Sequence, residues 1–250
     1  MKELLNTKKE ALISVALPVF KSKKIVWLAM ESLCNQKKPP CGWELIICEE
    51  KHTQQAGEKF FAGYVARLKK AGCVRVLYIG LPQWVHLPRK WRCMGKYIDP
   101  ASKVFLLQAA DCYSFSSRLR DSYKKVVTEG YDWYDTLGYF YSFNTRKLYV
   151  YYKKHMTNLN MAFKSDYARN IPFSKAKKSI DGFLYNHVRR SGQIRHFTDI
   201  TIHPDGIDTH GYNNISKNRQ LSNKTRFLQG NTKFEQTTIP AYVIEKIRTL

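Results

Sequence analysis

Hydrophobic positions in the first half of the chain fall into short continuous runs separated by segments with helical spacing. Residues 12–19 (Leu-Ile-Ser-Val-Ala-Leu-Pro-Val), 44–48, 74–79 and 103–108 are such runs. Apolar stretches of this length are what strands buried on both faces look like. Between the first two, Ile25, Leu28, Ala29, Ser32 and Leu33 recur at helical spacing until Lys37-Lys38-Pro39-Pro40 stops them. A second helix is expected over about 54–71, with Phe60, Phe61, Tyr64, Val65 and Leu68 on one side and Gly72 at its end. A third, basic one is expected over 89–98, closed by Asp99-Pro100. Four strands alternating with three helices predict right-handed βαβ units: an α/β fold of Rossmann type, with a mostly parallel sheet flanked by helices.

The pattern then changes. Residues 131–152 hold ten aromatics, with Asn144-Thr145-Arg146 as a turn between runs that look like antiparallel strands. Residues 157–170 and 180–192 read as helical, and after about 212 the chain turns polar until Ile239. The expected organisation is one domain over 1–211, with a small antiparallel part, and a polar C-terminal tail over 212–250 that wraps it.

Acidic residues end two of the apolar runs. Trp43-Glu44-Leu45-Ile46-Ile47-Cys48 leads into Glu49-Glu50, and Val104-Phe105-Leu106-Leu107 leads through Gln108-Ala109-Ala110 to Asp111. In open α/β sheets, ligands bind beyond the carboxyl ends of the strands. Glu49, Glu50 and Asp111 are therefore expected at one site, able to hold a divalent cation and to hydrogen-bond a nucleotide.

Charge adds a second requirement. Forty-two Lys and Arg against 20 Asp and Glu give a net +22 and a pI near 9.7. The excess is concentrated: residues 51–100 carry ten basic and two acidic side chains, residues 151–200 ten and three. This favours a polyanionic partner such as nucleic acid, an anionic membrane face or a phosphorylated polymer, against the alternative of a basic surface tuned for solubility. No apolar stretch approaches the ~18–20 residues that span a bilayer, and Met1 to Glu10 is charged, unlike a secretory signal. A cytoplasmic protein is expected, in the host cytoplasm if the chain is viral. Six cysteines, none in a Cys-x-x-Cys pair, are expected to be free buried thiols rather than zinc ligands.

The order of these segments resembles that of the inverting family 2 glycosyltransferases. Ile13 to Phe20 looks like that family's opening strand running into a proline, and Glu31-Ser32-Leu33-Cys34-Asn35-Gln36 is similar to its "ESLLNQ" helix end. Trp43 to Glu50 resembles the "YEIIVVDD" strand, and Phe105 to Asp111 the strand ending in Asp-x-Asp-Asp. Asn158-Leu159-Asn160-Met161-Ala162-Phe163 looks like the "G-x-N-x-A-F" segment, and Ile180-Asp181-Gly182 stands where the family keeps its acidic catalytic pair. The resemblance covers about residues 12–210. It implies a GT-A-like fold, a nucleotide-sugar donor (a UDP-sugar first) and a Mn²⁺ or Mg²⁺ ion.

It also implies roles. Pro18, Phe20, Glu49 and Glu50 would line the nucleotide, and Lys90, Arg92 and Lys96 on the basic helix would face the diphosphate. Asp111 and the late-loop His210 would hold the metal; His203 is a weaker alternative, and Asp111 could instead cap a helix before Ser116. Asp181 would be the general base that takes the acceptor hydroxyl's proton, or simply a helix cap. Two departures stand out. Glu49-Glu50 replaces paired aspartates and is followed by Lys51-His52 where the family has Gly-Ser, while Gln108-Ala109-Ala110-Asp111 keeps one carboxylate of Asp-x-Asp-Asp.

The resulting expectation is a metal-dependent inverting glycosyltransferase acting on a polyanionic acceptor. A hydroxylated base in modified, phage-type DNA comes first. The rivals are a surface saccharide or lipid-linked acceptor at the cytoplasmic membrane face, reached by peripheral contact, and a non-catalytic nucleic-acid-binding protein on a degenerate transferase scaffold.

Overall fold

The computed structural model describes residues 1–136, 139–142, 147–151, 161–171, 180–190, 195–199, 206–208, 227–228 and 241–249. In chain order the elements are β1 (Lys2–Asn6), β2 (Ile13–Val19), α1 (Trp27–Cys34), β3 (Trp43–Glu50), α2 (Glu58–Ala62), α3 (Val65–Lys70), β4 (Cys73–Leu81), α4 (Leu87–Gly95), β5 (Val104–Leu107), β6 (Cys112–Ser114) and α5 (Arg118–Tyr123). A π-helical turn over 124–128 continues α5. Then come β7 (Trp133–Thr136), β8 (Tyr139–Ser142), β9 (Lys147–Tyr151), β10 (Ala162–Lys164), α6 (Ser165–Arg169), α7 (Ile180–Arg190), β11 (His196–Asp199), β12 (Gly206–Asp208), β13 (Phe227–Leu228) and α8 (Ala241–Arg248).

The main sheet has the order β1-β4-β3-β2-β5-β10-β7-β11. Its centre, β4-β3-β2-β5, is parallel, as the four apolar runs predicted. Every residue of β3 is buried, because both faces of the sheet are covered. On one face Val15, Leu17, Leu45, Ile47, Val76 and Leu106 pack with α1, Phe61 and Leu68. On the other, Ala16, Ile46, Leu77, Phe105 and Leu107 meet Trp91 and Met94 of α4 and Leu184 and Val188 of α7. Each of the Val, Leu, Ile, Phe and Met side chains among them contributes ~1.5–3 kcal/mol by leaving water. Gly95 is required where α4 meets α6, since a Cβ there would lie 2.4 Å from the Ala168 carbonyl oxygen.

A second sheet, β13-β9-β8-β12-β6, contains the expected antiparallel pair, with Tyr139 opposite Val150. The turn expected at Asn144-Thr145-Arg146 lies outside the described residues. The structure corrects two expectations. The helix over 54–71 is split in two at Gly63-Tyr64, where a weak helix former interrupts it. Of the helix expected over 157–170, the described residues 161–170 form instead a strand and a short helix: β10 inserts between β5 and β7, and Phe163 packs between the rings of Phe105 and Trp133. β1, to which the apolar pattern assigned no element, covers the outer edge of β4.

All six cysteines are free thiols. Burial pushes Cys34 up to about 12 and Cys41 up to about 11, while a hydrogen bond from Cys48 lowers Cys93 to about 7. From the tail, α8 lies on α1. Val243 and Ile247 are buried, the Tyr242 hydroxyl donates to Glu31 Oε2 at 2.5 Å, and the Lys246 ammonium stands 4.1 Å from the Trp27 ring centroid. Among the described residues, no helix is long and apolar enough to cross a membrane.

Candidate nucleotide-sugar site

Parallel pairing of β2 with β3 and β5 aligns their carboxyl ends. Val19 lies opposite Glu49, and the Gln108 N–H continues the ladder to the Ala16 carbonyl at 2.9 Å. Glu49, Glu50 and Asp111 therefore all stand at one edge of the sheet, as their positions after apolar runs implied.

Glu49 is buried and faces its own protein. Oε1 accepts the Ala56 N–H at 2.8 Å, and Oε2 accepts the Gly57 N–H and the Tyr78 hydroxyl, each at 3.0 Å. Gly57 has φ +80°, a left-handed conformation that a glycine tolerates, so the carboxylate clasps a tight turn just ahead of α2. Burial and the adjacent Glu49 charge push the Tyr78 phenol well above its ordinary value.

Glu50 is equally buried. Oε1 accepts the Val85 N–H at 3.3 Å, and Oε2 pairs with the ammonium of Lys90. That ammonium also donates to the Val19 carbonyl at 2.8 Å and lies 5.5 Å from the Phe20 ring centroid. Burial pulls the Lys90 pKa below its usual value, against the opposing pull of Glu50. This corrects the expectation for Lys90: its charge ties α4 to the ends of β2 and β3 instead of facing a diphosphate. Arg92 and Lys96 are exposed. The expectation for Lys96 is corrected too: it ends α4 beside Tyr97, whose carbonyl accepts from Arg75 near the start of β4, and so lies toward the amino-terminal edge of the sheet, away from Glu49 and Asp111. Pro18 and Phe20 are half-buried, and Phe20 also has the Lys21 ammonium 5.1 Å from its ring.

Beyond β5 the chain departs from an acidic motif for a physical reason. Gln108 is fully buried; its Nε2 donates to the carbonyls of Ala109 (3.0 Å) and Cys112 (2.9 Å), while its Oε1 accepts from Ser114 Oγ and Arg118 Nη1, both at 2.7 Å. An amide can donate and accept at once; a carboxylate cannot donate. The buried Arg118 also donates to the Leu107 carbonyl and Ser114 Oγ, so a guanidinium braces this turn from beneath. Nothing in the sequence marked Arg118 as buried.

Asp111 is half-buried in the turn before β6, so the helix-cap alternative falls. Among the described residues no group of three or more His, Cys, Asp or Glu could hold a metal. A single carboxylate fits a Mg²⁺-type ion whose remaining ligands are phosphate oxygens and water. His210 and His203 lie outside the described residues, but β12 brings the chain to Asp208, opposite Cys112 and two residues ahead of His210. Asp181 lies in the first turn of α7; its side chain is outside the description.

One carboxylate was missed. Asp135 is fully buried near the end of β7, one residue past Tyr134, which faces Ala162, which in turn faces Leu106. It stands at the same edge as Asp111. Its signal was present: like Glu49, it follows a run of large apolar residues, Trp133-Tyr134.

No protein-family model matches this chain, and no curated protein matches it in sequence. Solved structures do match in fold. Residues 1–349 of S. aureus TarS superpose with a TM-score of 0.59 at 14% identity, over 79% of this chain and 60% of that one. The same protein in complex with UDP gives 0.61 over the same shares. The mannosyltransferase PcManGT from Pyrobaculum calidifontis, in complex with GDP-Man and Mn²⁺, gives 0.57 at 10% identity, over 83% of this chain and 60% of that one. The fold is that of the GT-A-type glycosyltransferases, and this chain spans about 60% of the length of these neighbours.

Proposed function

We propose that the protein is an inverting glycosyltransferase that moves a sugar from a nucleotide-sugar, a UDP-sugar first, to a hydroxyl on a polyanionic acceptor. The observation that carries this reading is the parallel alignment of β3 and β5 on either side of β2, which sets Glu49, Glu50 and Asp111 at one edge of the sheet, while β12 ends at Asp208 opposite Cys112, the residue after Asp111. Neighbours of the same fold bind UDP and GDP-Man, the latter with Mn²⁺, which supports a nucleotide-sugar here.

Asp111 and His210 would hold a Mn²⁺ or Mg²⁺ ion, which when bound offsets negative charge on the departing diphosphate. Glu49 and Glu50 shape the nucleoside end by fixing the 56–57 turn and the 82–86 loop. Arg92, exposed on α4, would meet diphosphate oxygens. Asp181 takes the proton of the acceptor hydroxyl. The net charge of +22 favours a phosphate-bearing acceptor, and we infer a hydroxylated base in modified DNA, glycosylated in the cytoplasm.

The test is a thermal-shift screen of UDP- and GDP-sugars with and without Mn²⁺, followed by release of free nucleoside diphosphate. A donor should raise the melting point more with Mn²⁺ than without. Asp111→Ala should abolish that difference, and an Asp111→Ala protein that binds donor and Mn²⁺ as tightly as the parent removes the metal assignment. Salt-sensitive binding to duplex DNA is expected at ~0.1 M salt. Binding to anionic vesicles with none to DNA would move the acceptor to the membrane face. DNA binding with no donor turnover would leave a non-catalytic scaffold.

A further inference from the structure

Five tryptophans occur in the chain, and four are 6% exposed or less; Trp84 is 53% exposed. It sits in the loop 82–86, which leaves the end of β4 and returns over the end of β3 to begin α4. Glu50 lies opposite Leu81 in the sheet, the Lys51 N–H reaches the Leu81 carbonyl at 2.8 Å, and the Val85 N–H donates to Glu50 Oε1. Trp84 thus stands beside the acidic end of β3. Its ring meets that of His86 edge-on, with centroids 4.2 Å apart and planes at 67°. The His86 carbonyl accepts the N–H groups of Arg89 and Lys90, so the supporting residue is fixed to the first turn of α4. The indole is braced by His86 on one side and more than half exposed. The Phe20 ring, by contrast, has the ammoniums of Lys21 and Lys90 and the edge of His52 around it.

From these observations we propose that Trp84, propped by His86, is a stacking platform for the nucleobase of the donor. The proposal rests on the nucleotide-sugar reading and names where the base goes. Strand order supplies the geometry. Between β4 and β5 lie β3 and β2, so the two strand ends are three spacings, ~14 Å, apart. With the diphosphate at Asp111 beyond β5, a nucleotide extended along the edge of the sheet places its base near the loop that follows β4. The flat indole face takes any base by stacking, whereas a phosphate has little to gain there: the Val85 N–H is already committed to Glu50, and two buried carboxylates lie close by.

Because the other tryptophans are buried, acrylamide quenching of intrinsic fluorescence reports on Trp84. UDP and GDP should shield it from acrylamide; pyrophosphate and ribose 5-phosphate, which lack a base, should not. Trp84→Ala should remove the shielding and weaken UDP binding measured by calorimetry by roughly five- to a hundredfold. Trp84→Phe should retain most of the affinity. The substituted position is exposed, so the melting point of both variants should match the parent's. The platform is refuted if Trp84→Ala binds UDP as the parent does, if pyrophosphate shields as well as UDP, or if shielding appears only with the sugar attached. In each of those cases the donor reading survives. If the parent protein binds no nucleotide at all, the donor reading fails and takes the platform with it.

Discussion

Replacing Lys90 by methionine separates two roles for a basic residue on α4. The Lys90 and Glu50 side chains are 4% and 1% exposed and pair directly. Methionine keeps the length of the stem but removes the charge, leaving a buried carboxylate with the Val85 N–H at 3.3 Å and the Val19 carbonyl without its lysine donor. Breaking a buried pair from one side costs ~3–5 kcal/mol, because the surviving charge has lost its compensation. For a chain of this size each kcal/mol moves the melting point by ~2–4 °C, so a drop of roughly 6–20 °C is expected. Removing both charges is different: Lys90→Met with Glu50→Leu replaces the pair by apolar groups and should recover most of the loss, since such exchanges are often neutral. Urea denaturation of the parent, both single variants and the double variant gives the coupling directly. A diphosphate ligand would behave otherwise, with Lys90→Met folding normally and binding donor poorly. A single variant within ~1 kcal/mol of the parent would refute the structural role of Lys90.

Asp181→Asn should lower transfer by ~10²–10⁴ while leaving donor affinity nearly unchanged, as single-turnover and binding measurements can separate; undiminished transfer would move the base elsewhere. The hold of α8 should weaken in acid. Burial opposes ionisation of Glu31, but the two Arg67 bonds, each 2.7 Å, and the Tyr242 hydroxyl outweigh it and keep its pKa below the usual 4.5. A carboxyl lowered in this way stabilises fully above pH 4.5 and loses that contribution as pH falls through its folded value. Hydrogen exchange in 241–249 should therefore accelerate below pH 4.5 and be flat from 5 to 7; equal exchange rates at pH 3 and 7, after correction for intrinsic chemistry, would contradict this.

The central sheet was legible because β2 to β5 are covered on both faces, and full coverage writes itself as unbroken apolar runs. The end of β10 was not: Met161-Ala162-Phe163 is too short for a period to distinguish strand from helix, and its partners come from β5 and β7, far away in sequence. Polar residues in the interior were the least legible. Glu44 and Gln108 lie within buried apolar runs and Arg118 in a polar stretch, and no pattern shows that all three join buried hydrogen-bonded networks. The acidic residues follow the parallel strands to one edge, but what each carboxylate holds depends on loops that only the fold brings near. The same is true of Lys90, a basic helix residue by pattern and a buried counterion by position. Trp84 carried no signal either, since exposure is a property of the fold and not of the residue.

The pairing of β1 with β4 also sets a schedule. Lys2 lies opposite Tyr78, so on the ribosome the first strand is made ~70 residues before the one it must cover. At ~5–20 residues per second that interval is roughly 4–15 s, during which a five-residue strand has no neighbour to pair with. If β4 emerges and joins β3 first, its outer side is an open template for any other chain, with the outward-facing N–H and C=O groups along it unpaired. The charges on Lys2 and Glu3 make β1 a poor partner for a second copy of itself and a suitable terminal cover once the sheet exists. An extension or mutation that delays this closure would leave the final folded protein unchanged and still lower the fraction of chains that reach it.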